Sequence, residues 1–479
     1  MPTRAFLNAF AEQVDTRPGS PALSWAGDVV DYASLDRMAR DARAALAAVD
    51  IAPDVPVCVP AHKSPGTVAL LVACFRAGRR VVLPSSSLGA DALARLCEQT
   101  GSTHVLTASP DGITTRTSGA EARTMPGPGL LLTTSGSTGT PKVVVLSEEG
   151  VDNFLGWAAR AFGIGPGVGV LNYAPLNFDL CLLDVWSALA AGACVDLVDP
   201  EHAADGQRLA ALCADREPAV VQAVPLFFRL VTDTGRTFPA VREVLLTGDA
   251  APRALLERVT EAFPNARLWN VYGCTETNDS FLHRIDPAES PTPIGTPIDG
   301  VETRIVGEDG RVVPGAGSGE FVVRTPFRAQ GYLDAALDRE RWDDGWFRTG
   351  DLVRRDERGL VFLTGRNDHQ VKVRGVRTNV QEVEQVVLAH PDVVEAAVVA
   401  VPDEQAGNVL HAVVRRAPGS QLNGLHLRVH CAAALPRTAI PGGFEIGDDA
   451  LPRTSTGKVD RNAVLARRTS PAASIAERA

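Results

Sequence analysis

The chain reads as a multi-domain α/β protein, and three features of the sequence predict it. Through the first two thirds, short apolar runs alternate with amphipathic helical stretches. Near residue 301 the pattern changes to alternating strands broken by Gly and Pro, and beyond 366–368 a shorter stretch mixes helix and strand patterns of its own. Length agrees, because 479 residues exceed what one hydrophobic core of ordinary size organises.

The elements follow in order. Val81-Val82-Leu83-Pro84, Gly129-Leu130-Leu131-Leu132, Ala219-Val220-Val221 and Val244-Leu245-Leu246 read as buried strands. Residues 90–99 and, just after Pro252, 253–263 carry helical patterns, so the sheets are expected to be mainly parallel and wrapped by helices. Residues 302–313, 319–324 and 360–364 predict antiparallel strands. Helices are expected over 380–389 and 425–434 and strands over 396–401 and 409–415, with Glu382 and Glu384 on a solvated helix face. The expected domains are 1–367, a large N-terminal core, and 368–479, a small α+β unit ending in a polar tail.

Composition narrows the function classes. Hydrophobic residues at 45% and charged ones at 22% are ordinary for a globular protein, and a net charge of -10 disfavours non-specific attraction to nucleic acid or anionic lipid. Cys58, Cys74, Cys97, Cys181, Cys194, Cys213, Cys274 and Cys431 are scattered without a CxxC pair, which argues against zinc and against a disulfide scaffold. Buried free thiols in a reducing cytoplasm are the expected reading. The N-terminus lacks a secretory pattern and no run of 18 apolar residues occurs, so no membrane partner is expected.

The strongest local signal is Thr133-Thr134-Ser135-Gly136-Ser137-Thr138-Gly139-Thr140-Pro141-Lys142, directly after a predicted strand. Small hydroxyl residues and two glycines let the backbone fold tightly around an anion, and Lys142 adds charge. It is not a P-loop, because Thr140-Pro141 separates Gly139 from Lys142.

This loop resembles the phosphate loop of the adenylate-forming superfamily, which includes acyl-CoA synthetases, luciferases and the adenylation domains of nonribosomal peptide synthetases. Further motifs stand in the same order as in that family: Asn270-Val271-Tyr272-Gly273-Cys274-Thr275-Glu276, Phe347-Arg348-Thr349-Gly350-Asp351, the stretch from Gly365-Arg366 through Asp368 to Gly375, and Pro452-Arg453-Thr454-Ser455-Thr456-Gly457-Lys458. Weaker echoes at Arg76-Ala77-Gly78 and Gly331-Tyr332 extend the likeness over nearly the whole chain. The resemblance implies a small antiparallel sub-barrel in the large domain and a mobile C-terminal domain hinged at Asp368. It implies that Thr134, Ser135, Gly136, Ser137, Thr138 and Gly139 bind ATP phosphates, with Gly248, Asp249, Asn270, Gly273, Thr275 and Arg366 also at the nucleotide. Tyr272 would stack on adenine, Asp351 would bond the ribose hydroxyls, and Glu276 would hold Mg²⁺. Lys458, Glu276 and Lys142 would be the catalytic groups.

These assignments make physical sense. A carboxylate attacking the α-phosphate of ATP needs charge neutralised at phosphate, which Lys458, Lys142 and Mg²⁺ on Glu276 supply. Taken singly, Lys458 is a surface lysine, Asp351 a turn residue and Asp368 a surface acid; the ordered motifs decide. Val143, Glu148 and Cys274 depart from the family's usual Gly, His and Pro, but none removes a group that adenylation needs.

Asn177-Phe178-Asp179-Leu180-Cys181 bears on the substrate. In amino-acid-activating members an Asp here pairs with the α-ammonium, a charge-assisted bond. A helix cap by Asp179 is compatible with the same sequence. The pocket lining carried over is Leu180, Leu183, Leu226, Leu245, Thr247, Val271, Asp279 and Ser280. Asp279 either meets a donor on the substrate side chain or is satisfied by backbone, Thr247 or water, leaving a small apolar substrate. The chain shows no carrier segment after Lys458, so a free-standing enzyme is expected that loads an amino acid onto the phosphopantetheine thiol of a separate carrier protein. A carboxylate–CoA ligase using coenzyme A is the alternative enzyme, and a non-catalytic nucleotide-binding protein the alternative class.

Overall fold

The computed structural model describes residues 4–110, 112–125, 127, 129–134, 141–249, 251, 253–287, 289, 292–307, 309–366, 370–403, 407–452, 459 and 461–469. The chain divides into two compact units. The larger holds residues 1–86, 97–134 and 142–367; the smaller holds residues 87–96 and the described chain from 370 onward.

The larger unit contains two mainly parallel sheets. In the nine-stranded sheet, Arg267–Cys274, Glu243–Thr247, Val220–Ala223, Gly169–Asn172, Cys194–Leu197 and Pro21–Trp25 lie side by side and parallel. Antiparallel edges are added by Asn278–Arg284 and Thr296–Pro297 on one side and Asp28–Asp31 on the other. In the seven-stranded sheet, Gly129–Thr134, Arg80–Leu83, Val57–Cys58 and His104–Ser109 form the parallel centre. A strand covered on both faces must be apolar on both, and Val244-Leu245-Leu246 shows how: Leu245 enters one core cluster while Val244 and Leu246 enter another.

The texture change near residue 301 is the five-stranded antiparallel sheet of Glu302–Val306, Gly317–Arg324, Trp346–Arg355, Trp342–Asp343 and Val361–Arg366. The strand expected over 302–313 stops at Val306 and returns on itself, with Val306 bridged to Val312.

In the smaller unit, Val393–Asp403, Gly407–Arg416 and Gly443–Gly447 form a three-stranded sheet, and the helices Val380–Leu388 and Gly424–Ala434 contribute to its core. The hairpin Gln370–Val373/Val376–Asn379 turns at Arg374 and Gly375, both at positive φ, as a two-residue hairpin of this hand requires. One expectation fails. Glu382 and Glu384 are buried, not solvated. Glu384 pairs with Arg461 and also accepts the Val398 amide at 3.1 Å, so this carboxylate ties the helix to the sheet and to the helix Arg461–Thr469.

Glu384→Ala should therefore lower stability by about 1–3 kcal/mol, since it strands the Val398 amide and Arg461. Chemical denaturation followed on the smaller unit checks this; a midpoint within error of the native protein would show the pair contributes nothing.

Candidate active site

Ligands in open parallel sheets bind just beyond the carboxyl ends of the strands, and the predicted residues gather there on four neighbours. Asp179 follows Gly169–Asn172, Leu226 follows Val220–Ala223, Thr247, Gly248 and Asp249 end or follow Glu243–Thr247, and Val271 through Glu276 end or follow Arg267–Cys274. Register sets them level: Thr247 lies opposite Val271, Leu245 opposite Trp269, and Asn172 opposite Gln222. Leu183, Leu245 and Val271 are buried in one core cluster, with Leu180 packed against it. Leu226 is half-buried at the start of the helix Pro225–Thr232.

Two carboxylates, Asp179 and Asp279, lie within electrostatic reach of each other. Asp279 is 8% exposed, and burial, reinforced by the charge of Asp179, pushes its carboxyl up to about 7. Among the described residues, neither a backbone amide nor the Thr247 hydroxyl donates to it. Asp179 is also raised, first by burial and then by the charge of Glu276, while the Thr275 hydroxyl and the Leu180 amide (3.0 Å) hold its ionised form. Its side chain makes no helix cap: the π-helix Leu182–Ser187 begins without a side-chain cap bond, and only the Asp179 backbone carbonyl receives the Leu182 amide. Ser280 is different. It leaves the opposite face of its strand from Asp279, is fully buried, and spends its hydroxyl on Asn278 and Thr277.

A second group lies at Tyr272. Its hydroxyl donates to Asp351 at 2.5 Å, and Asp351 in turn takes its backbone amide bond to the Thr349 hydroxyl, which is anchored on the Phe321 carbonyl. The Tyr272 ring is held edge-on by Phe281 and Phe321. Burial and the Asp351 charge push its phenol well up, so it stays a donor. Gly273 is required by closeness: a Cβ there would stand 2.3 Å from the Asn278 carbonyl. Asn270 bonds the Pro293 carbonyl at 2.7 Å. Glu276 is 2% exposed and receives the Tyr332 hydroxyl.

Thr134 closes its strand, with Lys142 opposite it at the start of the next. Arg366 is placed opposite Asp351 by its backbone. Ser135, Gly136, Ser137, Thr138, Gly139, Asp368 and Lys458 lie outside the described residues. The fold gives a part to three groups that the motifs left without a role, and Lys63 stands outside the motifs altogether. Tyr332 reaches Glu276 and Thr349 orients Asp351. Lys63 is buried beneath the turn that carries Asp179. The only local signal for Lys63 is a charge set between an apolar run and the helix Pro65–Arg76.

For a divalent cation, Glu276 offers one hard oxygen donor, and among the described residues no group of three or more His, Cys, Asp or Glu could hold a metal. A lone carboxylate oxygen is the kind of donor Mg²⁺ takes alongside waters and phosphate oxygens.

Sequence comparison agrees with the geometry. Residues 10–129 and 127–333 match the AMP-binding enzyme family, and residues 382–458 match the AMP-binding enzyme C-terminal domain. The L-proline--[L-prolyl-carrier protein] ligase of Pseudomonas fluorescens is 36% identical over 345 residues, 70% of this chain and 67% of that protein. The ligase of the same name from Streptomyces coelicolor is 36% identical over 344 residues, 69% of this chain and 64% of that one. The chain thus spans about two thirds of the length of these relatives. The o-succinylbenzoate CoA synthetase of Bacillus subtilis has the same fold, with a TM-score of 0.84 at 24% identity over 96% of this chain and 98% of that one. The chain belongs to the AMP-binding enzyme family and has its adenylation-domain fold.

Tyr332→Phe deprives the buried Glu276 of a donor, and a loss of about 1–3 kcal/mol in unfolding free energy is expected. An unchanged urea midpoint would show that the remaining contacts of Glu276 suffice.

Proposed function

We propose that the protein activates an amino acid as its aminoacyl-adenylate and then passes it to the phosphopantetheine thiol of a carrier protein. It is an AMP-forming ligase. In the first step a substrate carboxylate oxygen bonds the α-phosphorus of ATP and pyrophosphate leaves; in the second the thiol sulfur bonds the carbonyl carbon, AMP leaves, and the thiol proton passes to solvent. The observation that carries the amino acid reading is Asp179, a carboxylate beyond the carboxyl end of the parallel sheet whose ionised form takes bonds from Thr275 and Leu180 against the cost of burial. The carrier-protein names of the two ligases support the acceptor, and the free state of all eight cysteines suits a cytoplasmic enzyme.

Each group then has a role. Asp179 pairs with the substrate ammonium, and Tyr272 and Asp351 hold the adenosine. Lys142 and the 135–140 loop bind phosphate. Glu276 holds Mg²⁺, which when bound draws charge off the phosphate oxygens. Lys458 stabilises the charge that builds in the first step. Asp368 serves as the hinge between residues 1–367 and 368–479, so that one pose of the smaller domain serves adenylation and another admits the thiol.

Asp279 sets the side-chain preference. A carboxylate buried without a donor is costly, and a substrate side chain bearing an amine, hydroxyl or N–H relieves that cost. Diaminobutyrate, ornithine, serine or threonine is thus preferred to alanine, proline or valine. Sites built to pair a polar group reject the analogue lacking it by ~10⁴-fold, against ~10–200-fold for a missing methylene.

ATP–pyrophosphate exchange tests these roles. Activation of amino acids but not of their des-amino analogues, with the preference lost in Asp179→Ala, is expected; efficient activation of fatty or aryl acids would restore the CoA-ligase reading. Lys458→Ala should cost ~10²-fold or more in exchange while sparing transfer from preformed adenylate, and equal losses in both would overturn the two-pose assignment. Because protonated carboxyls cannot pair with an ammonium, the amino acid KM should fall as pH rises from about 6 to about 8. Asp279→Asn should flatten that slope and lose the polar preference; an apolar preference unchanged by the substitution would show that Asp279 does not select.

A further inference from the structure

Beneath the turn that carries Asp179 lies a polar cluster for which the two half-reactions have no use. Lys63 is 6% exposed, and its ammonium donates to the Asn172 and Tyr173 carbonyls at 3.2 and 3.0 Å. The Asn172 side-chain amide donates to Asp184 at 3.0 Å and to the Cys181 sulfur at 3.3 Å. The Cys181 thiol donates to the Pro175 carbonyl at 3.2 Å. Asp184 is fully buried within the π-helix Leu182–Ser187, an element whose widened turn occurs frequently at functional sites.

Packing alone does not explain these groups. A buried ammonium is expensive to desolvate, and burial pulls Lys63 down while it pushes Asp184 and Cys181 up. The neighbouring acids Asp184 and Asp199 work against that cost at Lys63. Two buried acceptors, Asn172 Oδ1 and Asp184 Oδ2, find no partner among the described residues. An apolar residue would fill the space of Lys63 without such a cost. What the cluster provides is a set of donors aimed at one short stretch of backbone. Two of them, the Lys63 ammonium with two bonds and the Cys181 thiol with one, close on the carbonyls of residues 172, 173 and 175, where the strand ends and the turn begins. The turn continues the chain of bonds: the Phe178 amide meets the Pro175 carbonyl, the Cys181 amide the Phe178 carbonyl, and the Leu182 amide the Asp179 carbonyl. Leu183 and Asp184 both send their amides to Leu180. Asp179 sits between the two anchored ends.

We propose that Lys63, Asn172, Cys181 and Asp184 are positioning residues that fix the 173–180 turn so that the Asp179 carboxylate stands where the substrate ammonium arrives. The inference rests on Asp179 reading that ammonium. The cluster touches no substrate; it acts through the backbone of the turn.

The test is exchange kinetics on the full chain with Lys63→Met, Asp184→Asn and Cys181→Ala, each checked for a native circular dichroism spectrum. Lys63→Met should raise the amino acid KM about tenfold or more, the scale of one charge-assisted contact, while the ATP KM stays within about twofold. The preference for an amino acid over its des-amino analogue should fall by the same factor, which general loosening of the fold would not produce. Asp184→Asn should shift both readouts in the same direction. Combined with Asp179→Ala, Lys63→Met should add no further loss of that preference, because coupled residues are not additive. Cys181→Ala removes only one small group and carries the test should Lys63→Met fail to fold; about a threefold loss of preference is expected from one missing weak bond. A folded Lys63→Met or Cys181→Ala protein with native preference overturns the positioning role. If Asp179→Ala itself leaves the preference intact, the ammonium reading fails instead.

Discussion

Like charges taken out of water together repel, and in this pocket Glu276, Asp179 and Asp279 stand in electrostatic reach of one another. Glu276 raises Asp179, and Asp179 raises Asp279. Such a row is tolerable only where donors or cations neutralise it. At one end Tyr332 reaches Glu276; in the middle Thr275 and Leu180 hold Asp179; at Asp279 the described residues supply nothing. The rest of the architecture serves to keep this row in place.

The parallel sheet does most of that work. Four neighbouring strands end at the same level, so residues far apart in sequence arrive together without long loops. The Gly273 approach to Asn278 then folds the chain back sharply enough for Asp279 to share a site with Glu276. A bulge between Tyr272 and Gly273 breaks the alternation there, so the hairpin can send Tyr272 toward Asp351 and Asp279 toward Asp179.

Much of this was legible in the sequence because it is local. The buried strands around Val81, Leu130, Val220 and Val244 announce themselves as apolar runs, and Asp179, Glu276 and Asp279 stand inside short motifs or at fixed offsets from them. What escaped is long-range. Tyr332 reaches Glu276 from 56 positions away, Lys63 reaches Asn172 from 109, and Arg461 reaches Glu384 from 77. Helical spacing put Glu384 on a polar face, and a distant arginine turned that face inward.

A row of interacting acids also means that its ends are not independent. Whatever neutralises Glu276 removes one of the charges holding Asp179 up, so Asp179 ionises more readily. Thermodynamic linkage makes the effect mutual: ionisation of Asp179 favours neutralisation at Glu276 by the same factor. The coupling needs no moving part, since both carboxylates are held by bonds from their own neighbourhoods. Its strength depends on the pocket staying dry, because water between the carboxylates would screen it. The apolar face formed by Leu183, Leu245 and Val271 is thus as much a part of the electrostatics as the charges themselves.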